Sequence, residues 1–186
     1  MGKRLTKIIT RTGDDGSTGL ADGTRVDKSS TRVHALGEID ELNCWLGVML
    51  AQQLPDDIEE QLFDVQHGLF NVGAELSLPG HTVIGERDVA CLEESLQRYN
   101  EELPPLEEFI LPGGGQAASF CHLARAVCRR AERCLVELSR SEGGLNPLAL
   151  TYINRLSDLL FVIARVLARR DNAGEVYWDR RRRDRT

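Results

Sequence analysis

Four charged residues near the middle of the chain form a candidate anion-binding site. Arg125, Arg129, Glu132 and Arg133 are spaced so that the last three follow the first by four, seven and eight positions. On a helix of 3.6 residues per turn they therefore share one face. Guanidinium groups bind phosphate and carboxylate oxygens through charge-assisted hydrogen bonds. A solvated surface helix is the alternative. Because the whole chain has a net charge of -6, this local cluster of arginines runs against its composition and favours anion recognition.

A glycine-rich segment before the first helix could contact the same kind of ligand. Residues 7–20 contain Gly13, Gly16 and Gly19 together with several threonine and serine hydroxyls. Glycine lets the backbone approach a ligand closely, and successive N–H groups can hold phosphate oxygens. The segment is not a Walker A loop, because it lacks the Gly-Lys-Ser/Thr sequence and no helix is predicted to begin there. An ordinary surface loop with a solvated Lys28 beside it is the alternative.

Hydrophobic periodicity predicts the elements that must position these residues. Apolar side chains recur at intervals of three and four, which is the pattern of amphipathic helices. The predicted helices cover residues 30–55, 56–76, 86–103, 116–141 and 146–170. The only strand that the pattern suggests is a short one over residues 5–10. The sequence therefore predicts an all-α fold, a five-helix up-down bundle with a glycine-rich N-terminal arm.

Three further positions stand out on these elements. Asp40 lies among small and apolar residues of the first helix, and a covered carboxylate requires a partner, for which arginine is best suited. Asn154 on the last helix gains significance if it meets the arginines of the preceding, antiparallel helix; otherwise it is a surface residue. A Pro-Gly-Gly-Gly turn begins three residues after Phe109. It either packs in a loop or presents an aromatic surface to a large apolar ligand.

Length and composition exclude several classes of protein. The 186 residues suit one domain, divided into an arm (1–28), a helical bundle (29–170) and a C-terminal tail (171–186). The net charge of -6 argues against nucleic acid as the main partner, and the basic run at 180–183 is expected to be solvated. No apolar stretch reaches the ~20 residues of a membrane span, and no signal-peptide core is present. We therefore expect a cytoplasmic protein without membrane contact.

The cysteines indicate neither a disulfide framework nor a zinc site. There are five of them, an odd number, and no two form a Cys-x-x-Cys pair. Most lie at positions that the helical pattern assigns to the core, so we expect reduced, buried thiols.

Five segments occur together in an order that one family shares. They are residues 10–16, 37–43, 109–113, 125–133 and 154–158, which read Thr-Arg-Thr-Gly-Asp-Asp-Gly, Gly-Glu-Ile-Asp-Glu-Leu-Asn, Phe-Ile-Leu-Pro-Gly, Arg-Ala-Val-Cys-Arg-Arg-Ala-Glu-Arg and Asn-Arg-Leu-Ser-Asp. In these segments the chain resembles the PduO-type ATP:cob(I)alamin adenosyltransferases, and the resemblance covers nearly the whole chain. It implies a ferritin-like five-helix bundle that assembles as a homotrimer, with active sites between neighbouring subunits.

The resemblance also implies a reaction and its partners. The 5′-deoxyadenosyl group of ATP passes to cob(I)alamin by attack of Co(I) on the ribose 5′-carbon, which gives adenosylcobalamin and triphosphate. The implied substrates are cobalamin and ATP with Mg²⁺, the ion being held mainly by ATP. A flavin reductase and a B12-dependent enzyme are further implied partners. The alternative from another class is a non-catalytic nucleotide- or cobalamin-binding bundle that acts as a carrier or sensor, and a third is a structural bundle with no small ligand.

Individual roles follow from the same resemblance. The implied ATP-binding residues are Thr10, Arg11, Thr12, Gly13, Thr18, Gly19, Lys28, Arg129, Arg130, Ala131, Glu132, Arg133 and Asn154. Arg129 and Glu132 are also implied to be catalytic, together with Phe109. Phe109 is implied to bind cobalamin by crowding the lower face of the corrin, which keeps dimethylbenzimidazole off cobalt. Asp40 and Arg125 are implied to join subunits through a salt bridge.

Overall fold

Five α-helices make up most of the structure, as the sequence predicts. They are α1 (Thr31–Leu50), α2 (Asp56–Ser77), α3 (Glu86–Glu101), α4 (Gln116–Ser141) and α5 (Pro147–Arg170). α1 ends at Leu50 instead of continuing to Pro55. The computed structural model describes Ile9, residues 11–171 and residues 173–185. Thr10 and all but one residue of the predicted strand over 5–10 lie outside the described residues.

Local sequence sets where two of these helices begin. The side chain of Ser30 accepts a hydrogen bond from the backbone N–H of Val33 at 3.4 Å, and that of Asn146 accepts one from Leu148 at 3.0 Å. Each bond satisfies an N–H group that the first turn of a helix leaves without an intrahelical partner. Pro147 occupies the first turn of α5, where its missing N–H removes no helical hydrogen bond.

The core of the bundle lies along α5. This helix packs against α3 and α4, and α4 packs in turn against α1. Every residue from 162 to 168 is buried. By length and composition α5 could cross a membrane, since one 18-residue window has a mean hydropathy of 1.3, but 56% of that window is buried inside the bundle. Arg155, Asp158 and Arg165 interrupt its apolar residues, so no uninterrupted apolar stretch reaches the ~20 residues of a membrane span. Its position as the core helix accounts for its apolar composition.

A small antiparallel hairpin, which hydrophobic periodicity does not predict, precedes α1. Strand β1 (Ser17–Gly19) pairs with strand β2 (Arg25–Asp27). Three turns order the surrounding segment, because the carboxylates of Asp15, Asp22 and Asp27 each accept the backbone N–H two residues later, at 2.9, 2.8 and 2.7 Å. Strands of three residues carry too little alternation for a sequence pattern to reveal them.

The cysteines are free thiols, but only some of them are buried. Cys121 and Cys128 donate to backbone carbonyls of α5 at 3.0 and 3.2 Å. Burial raises the pKa of both thiols far above the usual range, which makes them poor nucleophiles. Cys134 is half-buried, whereas Cys44 and Cys91 are exposed. The prediction of buried thiols was therefore wrong for the last two.

The C-terminal residues fold back along the bundle. Residues 173–178, here called the C-terminal strap, run beside residues 109–111 through backbone hydrogen bonds and a β-bridge between Ile110 and Tyr177. A short 3₁₀ helix (Arg180–Arg185) follows. Residues 180–182 are exposed, as expected of a solvated tail. The strap before them was not predicted.

Candidate active site

The arginine face of α4 lines an open groove of about 660 Å³. Its lining residues all belong to α4 and are Arg129, Glu132, Arg133, Val136, Glu137, Arg140 and Ser141. Three of them are arginines and two are glutamates, so the groove carries a net positive charge that suits a polyanion. Arg133 Nη1 donates to the carbonyl oxygen of Arg129 at 2.9 Å. Since one helix supplies the whole lining, the groove has protein on one side only within the described chain.

A hydrogen-bonded chain from α5 fixes Glu132 at this groove. Asn154 Nδ2 donates to Glu132 Oε1 at 2.8 Å, and Arg155 Nη1 donates to Asn154 Oδ1 at 2.8 Å. Arg155 Nε donates in turn to Glu93 Oε1 of α3 at 2.6 Å. Asn154 therefore meets the charged face of α4, as antiparallel packing predicts, but it does so through the glutamate and not through an arginine.

Two residues of the predicted ATP-binding set face away from the groove. Arg130 Nε donates to Glu38 Oε2 at 2.5 Å, and Arg130 Nη2 donates to Glu41, both on α1. These hydrogen bonds raise the pKa of Arg130. Ala131 is fully buried in the core. Each step along a helix turns by about 100°, which carries both residues off the face of Arg129. Their contact with ATP is a prediction that the geometry of the single chain does not support.

A second cavity, of about 520 Å³, surrounds Phe109. The Phe109 side chain is 75% exposed, so its ring is free to contact a ligand in this cavity. Arg125 lines the same cavity and holds its guanidinium 5.9 Å from the centre of the Phe161 ring. Arg125 Nε and His122 Nδ1 are buried and have no hydrogen-bond partner in the described part of the chain. The cavity therefore combines aromatic walls with two unsatisfied polar atoms.

A smaller cavity of about 320 Å³ lies between these two spaces and has Asp158 in its lining. Arg129 lines both this cavity and the groove, while Arg125 and Phe161 line both this cavity and the one at Phe109. The three spaces thus follow one another along α4, from an arginine-rich groove to an aromatic cavity. A polyanion suits one end, and a large apolar ring system suits the other.

The glycine-rich arm folds around two basic side chains. Lys28 Nζ donates to the carbonyl oxygen of Gly13 at 2.7 Å, and Arg25 Nη2 donates to that of Thr12 at 2.5 Å. A β-carbon at Gly13 would lie only 3.0 Å from the carbonyl oxygen of Ser17. A side chain would therefore be crowded where the arm turns back on itself, and the structure brings the predicted residues Gly13 and Lys28 together.

The remaining described arm residues lie on or beside the hairpin. Arg11 is exposed, with φ of 56°; Thr18 is half-buried and Gly19 is exposed. The backbone N–H of Ala21 donates to the carbonyl of Ser77 at 2.8 Å, which anchors the arm at the end of α2. No described residue of the arm lines the groove. Within the single chain, the part of the arm that the structure describes therefore does not lie against the arginine face of α4.

Asp40 and Arg125, the predicted salt bridge, are not paired within the described chain. Asp40 is exposed in a groove of about 540 Å³ between α1 and α2, whose lining is mostly small and apolar. Arg125 instead lines the cavity at Phe109.

Comparison with known proteins gives the family. The family model described as cobalamin adenosyltransferase matches residues 8–167. The chain is 53% identical over 183 residues to a cobalamin adenosyltransferase of Cupriavidus metallidurans, covering 98% of this chain and 99% of that protein. The chain belongs to the cobalamin adenosyltransferase family. It is also 42% identical over 181 residues to a corrinoid adenosyltransferase of Bacillus subtilis, covering 94% and 93% of the two chains. The predicted family and enzyme class, ATP-dependent adenosyl transfer to a corrinoid, are confirmed.

Solved structures of PduO-type adenosyltransferases share the fold. A variant of the PduO-type ATP:corrinoid adenosyltransferase from Lactobacillus reuteri, complexed with cobalamin and ATP, has a TM-score of 0.87 and 34% identity, covering 92% of this chain and 99% of that chain. Another variant of that enzyme, complexed with ATP, has a TM-score of 0.87 and 35% identity, covering 92% and 100%. The predicted five-helix bundle is therefore confirmed.

Three residues of this adenosyltransferase were not singled out as site residues from the sequence. Asp158 follows Asn154 by four positions, and His122 precedes Arg125 by three, so helical spacing to predicted residues could have found both. Arg25 had no such signal, because its contact with Thr12 depends on the folded hairpin.

The buried imidazole of His122 predicts an acid-sensitive stability. Burial, with a smaller contribution from the positive charge of Arg125, lowers the pKa of His122 from 6.5 to about 4. The unfolded chain therefore takes up a proton near pH 6.5, which the folded chain does only near pH 4. His122 alone should lower the free energy of unfolding by on the order of 2 kcal/mol between pH 7 and pH 5. Above pH 6.5 its contribution is constant.

Chemical denaturation at pH 7 and pH 5 measures this difference. Between pH 7 and pH 5, the free energy of unfolding should fall less in His122→Gln than in the unmodified chain. The difference is the contribution of the imidazole. An equal loss in the variant and the unmodified chain would contradict the prediction.

Proposed function

We propose that this adenosyltransferase joins the 5′-deoxyadenosyl group of ATP to cob(I)alamin by direct displacement. The electron pair of Co(I) forms the cobalt–carbon bond at the ribose 5′-carbon. The carbon–oxygen bond breaks, and its electron pair leaves on the triphosphate. Because the nucleophile belongs to the substrate, the protein supplies position and charge and needs no nucleophile of its own.

The observation that carries this proposal is the row of cavities along α4. The groove at Arg129 and Arg133 suits a triphosphate, and the cavity at Phe109 suits one face of a corrin ring. Arg125 and Arg129 both line the space between them. A displacement reaction requires its two substrates side by side with the reacting atoms aligned, and the row of cavities provides adjoining places for both.

The arginines of the groove act on the leaving group. Negative charge accumulates on the triphosphate as the carbon–oxygen bond breaks, and preorganised guanidinium groups stabilise that charge more strongly in the transition state than in the ground state. Arg129 and Arg133 supply this stabilisation, and Lys28 of the arm adds a further cation. Glu132, oriented by Asn154 at 2.8 Å, presents an acceptor to the hydroxyl or amino donors of the nucleoside.

Mg²⁺ enters with ATP and adds positive charge at the phosphate oxygens. Among the described residues, no three histidine, cysteine, aspartate or glutamate side chains are grouped so that they could hold a metal ion. We propose that this ion is bound mainly by the triphosphate.

Phe109 acts on the lower face of the corrin. An apolar ring at this face leaves no room for the dimethylbenzimidazole base, so cobalt loses its lower axial ligand. The axial ligand tunes the reduction potential of a macrocycle-bound metal, and removing it from Co(II) favours reduction to Co(I). A flavin reductase is the proposed electron donor, and a B12-dependent enzyme is the proposed recipient of the product.

The proposed assembly is a homotrimer with each active site between two subunits. The groove at Arg129 has protein on one side only within the described chain, so the arm of a neighbouring subunit can supply the other side. Asp40 lies in a groove of small and apolar residues without an ion-pair partner in the described chain, and Arg125 Nε is buried without an acceptor. A salt bridge between subunits provides a partner for both. Each subunit is proposed to be one domain, located in the cytoplasm.

Asp40→Ala is expected to weaken this assembly. Removing the carboxylate leaves Arg125 of the adjacent subunit buried and unpaired, which costs about 2–5 kcal/mol for a buried charge pair at an interface. Analytical ultracentrifugation at micromolar concentration should show a shift from trimer to monomer. Glu94→Ala, which removes an exposed carboxylate on α3, is the control and should leave the distribution unchanged. A stable Asp40→Ala trimer would show that Asp40 and Arg125 do not form an interface salt bridge.

Turnover tests the function itself. Reduced cob(I)alamin with MgATP should give a light-sensitive cobalt–carbon product and one triphosphate per adenosyl group transferred. A folded protein that binds both substrates without this product would instead be a carrier or sensor. A protein that MgATP does not stabilise against heat would be a structural bundle without a small ligand.

A further inference from the structure

The C-terminal strap holds the backbone of the segment that carries Phe109. Leu111 N donates to the carbonyl oxygen of Val176 at 2.8 Å, and Trp178 N donates to that of Phe109 at 2.7 Å. Ile110, between them, forms the β-bridge with Tyr177. The Phe109 side chain nevertheless stays 75% exposed. The strap thus fixes the backbone of an aromatic residue while leaving its ring free to meet a ligand, which reduces the conformational entropy lost on binding.

A buried ion pair anchors the strap to the bundle. Arg165 Nε donates to Glu175 Oε1 at 2.5 Å, and the two side chains are only 3% and 2% exposed. Arg169 donates to the other carboxylate oxygen through Nε at 3.0 Å and Nη2 at 2.6 Å. Burial by itself raises the pKa of Glu175, but the hydrogen bonds and charges of both arginines outweigh it and hold the pKa below its ordinary value. The carboxylate therefore stays ionised at neutral pH.

Helix α5, which carries Arg165, contacts both ends of the loop that carries Phe109. Arg165 Nη2 donates to the carbonyl oxygen of Pro104, where the loop leaves α3, at 2.8 Å. At the other end Gly114 packs so closely on α5 that a β-carbon there would lie 2.4 Å from Ala168 Cβ. The loop is therefore fixed at its beginning, along Phe109 by the strap, and at its end.

An ionised side chain in this place needs a reason beyond stability. A buried ion pair often contributes no more to stability than well-packed apolar residues of the same size, because desolvation offsets much of the attraction. It does, however, allow few alternative arrangements, since a shifted strap would leave Arg165 buried without its carboxylate. The pair is well suited to hold the strap in a single register along Phe109.

We propose that Glu175 is a positioning residue for adenosyl transfer: its buried pair with Arg165 holds the C-terminal strap, and the strap sets Phe109 at the lower face of the corrin. This inference rests on the proposed role of Phe109 and extends it to residues that do not touch the substrate. The consequence is specific. A displaced Phe109 impairs only corrinoids whose lower base must be removed, so cobalamin is affected and cobinamide, which lacks the base, is not.

Glu175→Gln tests the proposal, because it keeps the shape of the side chain and removes the charge. Adenosylation of cobalamin should fall about tenfold, in the range seen when a group that orients a metal's ligand environment is changed, while KM for ATP and the rate with cobinamide stay the same. With MgATP present, the fraction of four-coordinate cob(II)alamin, measured by electron paramagnetic resonance and visible absorption, should fall with it. Glu142→Gln is the matched control, since Glu142 accepts two hydrogen bonds from Arg32 near the end of α4.

A second pair of variants tests the hydrogen bond between the strap and Phe109 without changing the ion pair. It also provides a test that does not depend on whether Glu175→Gln folds. Trp178→Pro removes the N–H that donates to Phe109 and keeps Glu175, whereas Trp178→Ala removes the side chain and keeps that N–H. The proline variant should lose more four-coordinate cob(II)alamin than the alanine variant.

Phe109→Ala distinguishes the role of Phe109 from that of Glu175. If it lowers the four-coordinate fraction but Glu175→Gln and Trp178→Pro do not, the positioning role of Glu175 is overturned and the role of Phe109 stands. If Phe109→Ala leaves that fraction unchanged, both are overturned. Equal losses with cobalamin and cobinamide in Glu175→Gln would show a merely structural role.

Discussion

Arg129→Ala is expected to reduce adenosyl transfer from ATP by about 100- to 1,000-fold, the effect of removing one preorganised donor from developing charge. Arg129 is exposed on α4 and lines both the groove and the cavity that joins it to Phe109. It is therefore the arginine best placed to stay with the triphosphate as the carbon–oxygen bond breaks. Steady-state kinetics should show the loss mainly in kcat, because the interaction strengthens as charge develops.

Arg87→Ala is the control for this change. Arg87 is an exposed arginine at the start of α3, and its removal alters the net charge equally without touching the groove. Both variants should keep the helical circular dichroism signal of the unmodified chain. Near-normal turnover in Arg129→Ala would mean that the triphosphate lies elsewhere.

Phe109→Ala is expected to lower the rate with cobalamin by about 10- to 100-fold, the range typical of changes to groups that orient a metal's ligands. Without the ring, dimethylbenzimidazole can return to cobalt, and reduction to Co(I) becomes harder. Cobinamide should react at nearly the normal rate, since it has no base to displace. Rates with the two corrinoids, compared at saturating MgATP, measure the effect.

The stability of Phe109→Ala provides an internal check. Because the ring is 75% exposed, its removal should change the free energy of unfolding by no more than about 0.5 kcal/mol, as for most surface substitutions. A larger loss would indicate that Phe109 has a packing role. Equal rate losses with both corrinoids would show that Phe109 does not act by removing the lower ligand.

The charged face of α4 shows how much a local sequence pattern can predict. Arg129, Glu132 and Arg133 share the groove as their spacing predicts, because the helical period is fixed by backbone geometry and needs no information from distant residues. The same period places Arg130 on another face, where it pairs with Glu38 and Glu41. The sequence could have predicted that Arg130 lies on another face of α4, but it could not predict which residues pair with it.

The sequence pattern could not predict contacts between segments that are far apart in the chain. The hairpin β1–β2 consists of strands of three residues held by side-chain turns, too short for alternation to be visible. The strap depends on the pairing of Glu175 with Arg165 and on hydrogen bonds to residues 109–111. The hairpin has only a weak local signature, the Asp22-Gly23 turn between its strands. The strap has none, because its position depends on contacts with residues far away in the sequence.

Five helices, the faces they bury and the residue types of the candidate site can be predicted from local sequence, because helical periodicity and capping are local properties. Family resemblance added the reaction. The folded chain was needed to show that the arginine groove continues into the cavity at Phe109 through Arg125 and Arg129. It alone showed that an exposed Phe109 is held by a C-terminal strap on a buried ion pair. These features join residues far apart in the chain, and their positions depend on how the helices pack against one another.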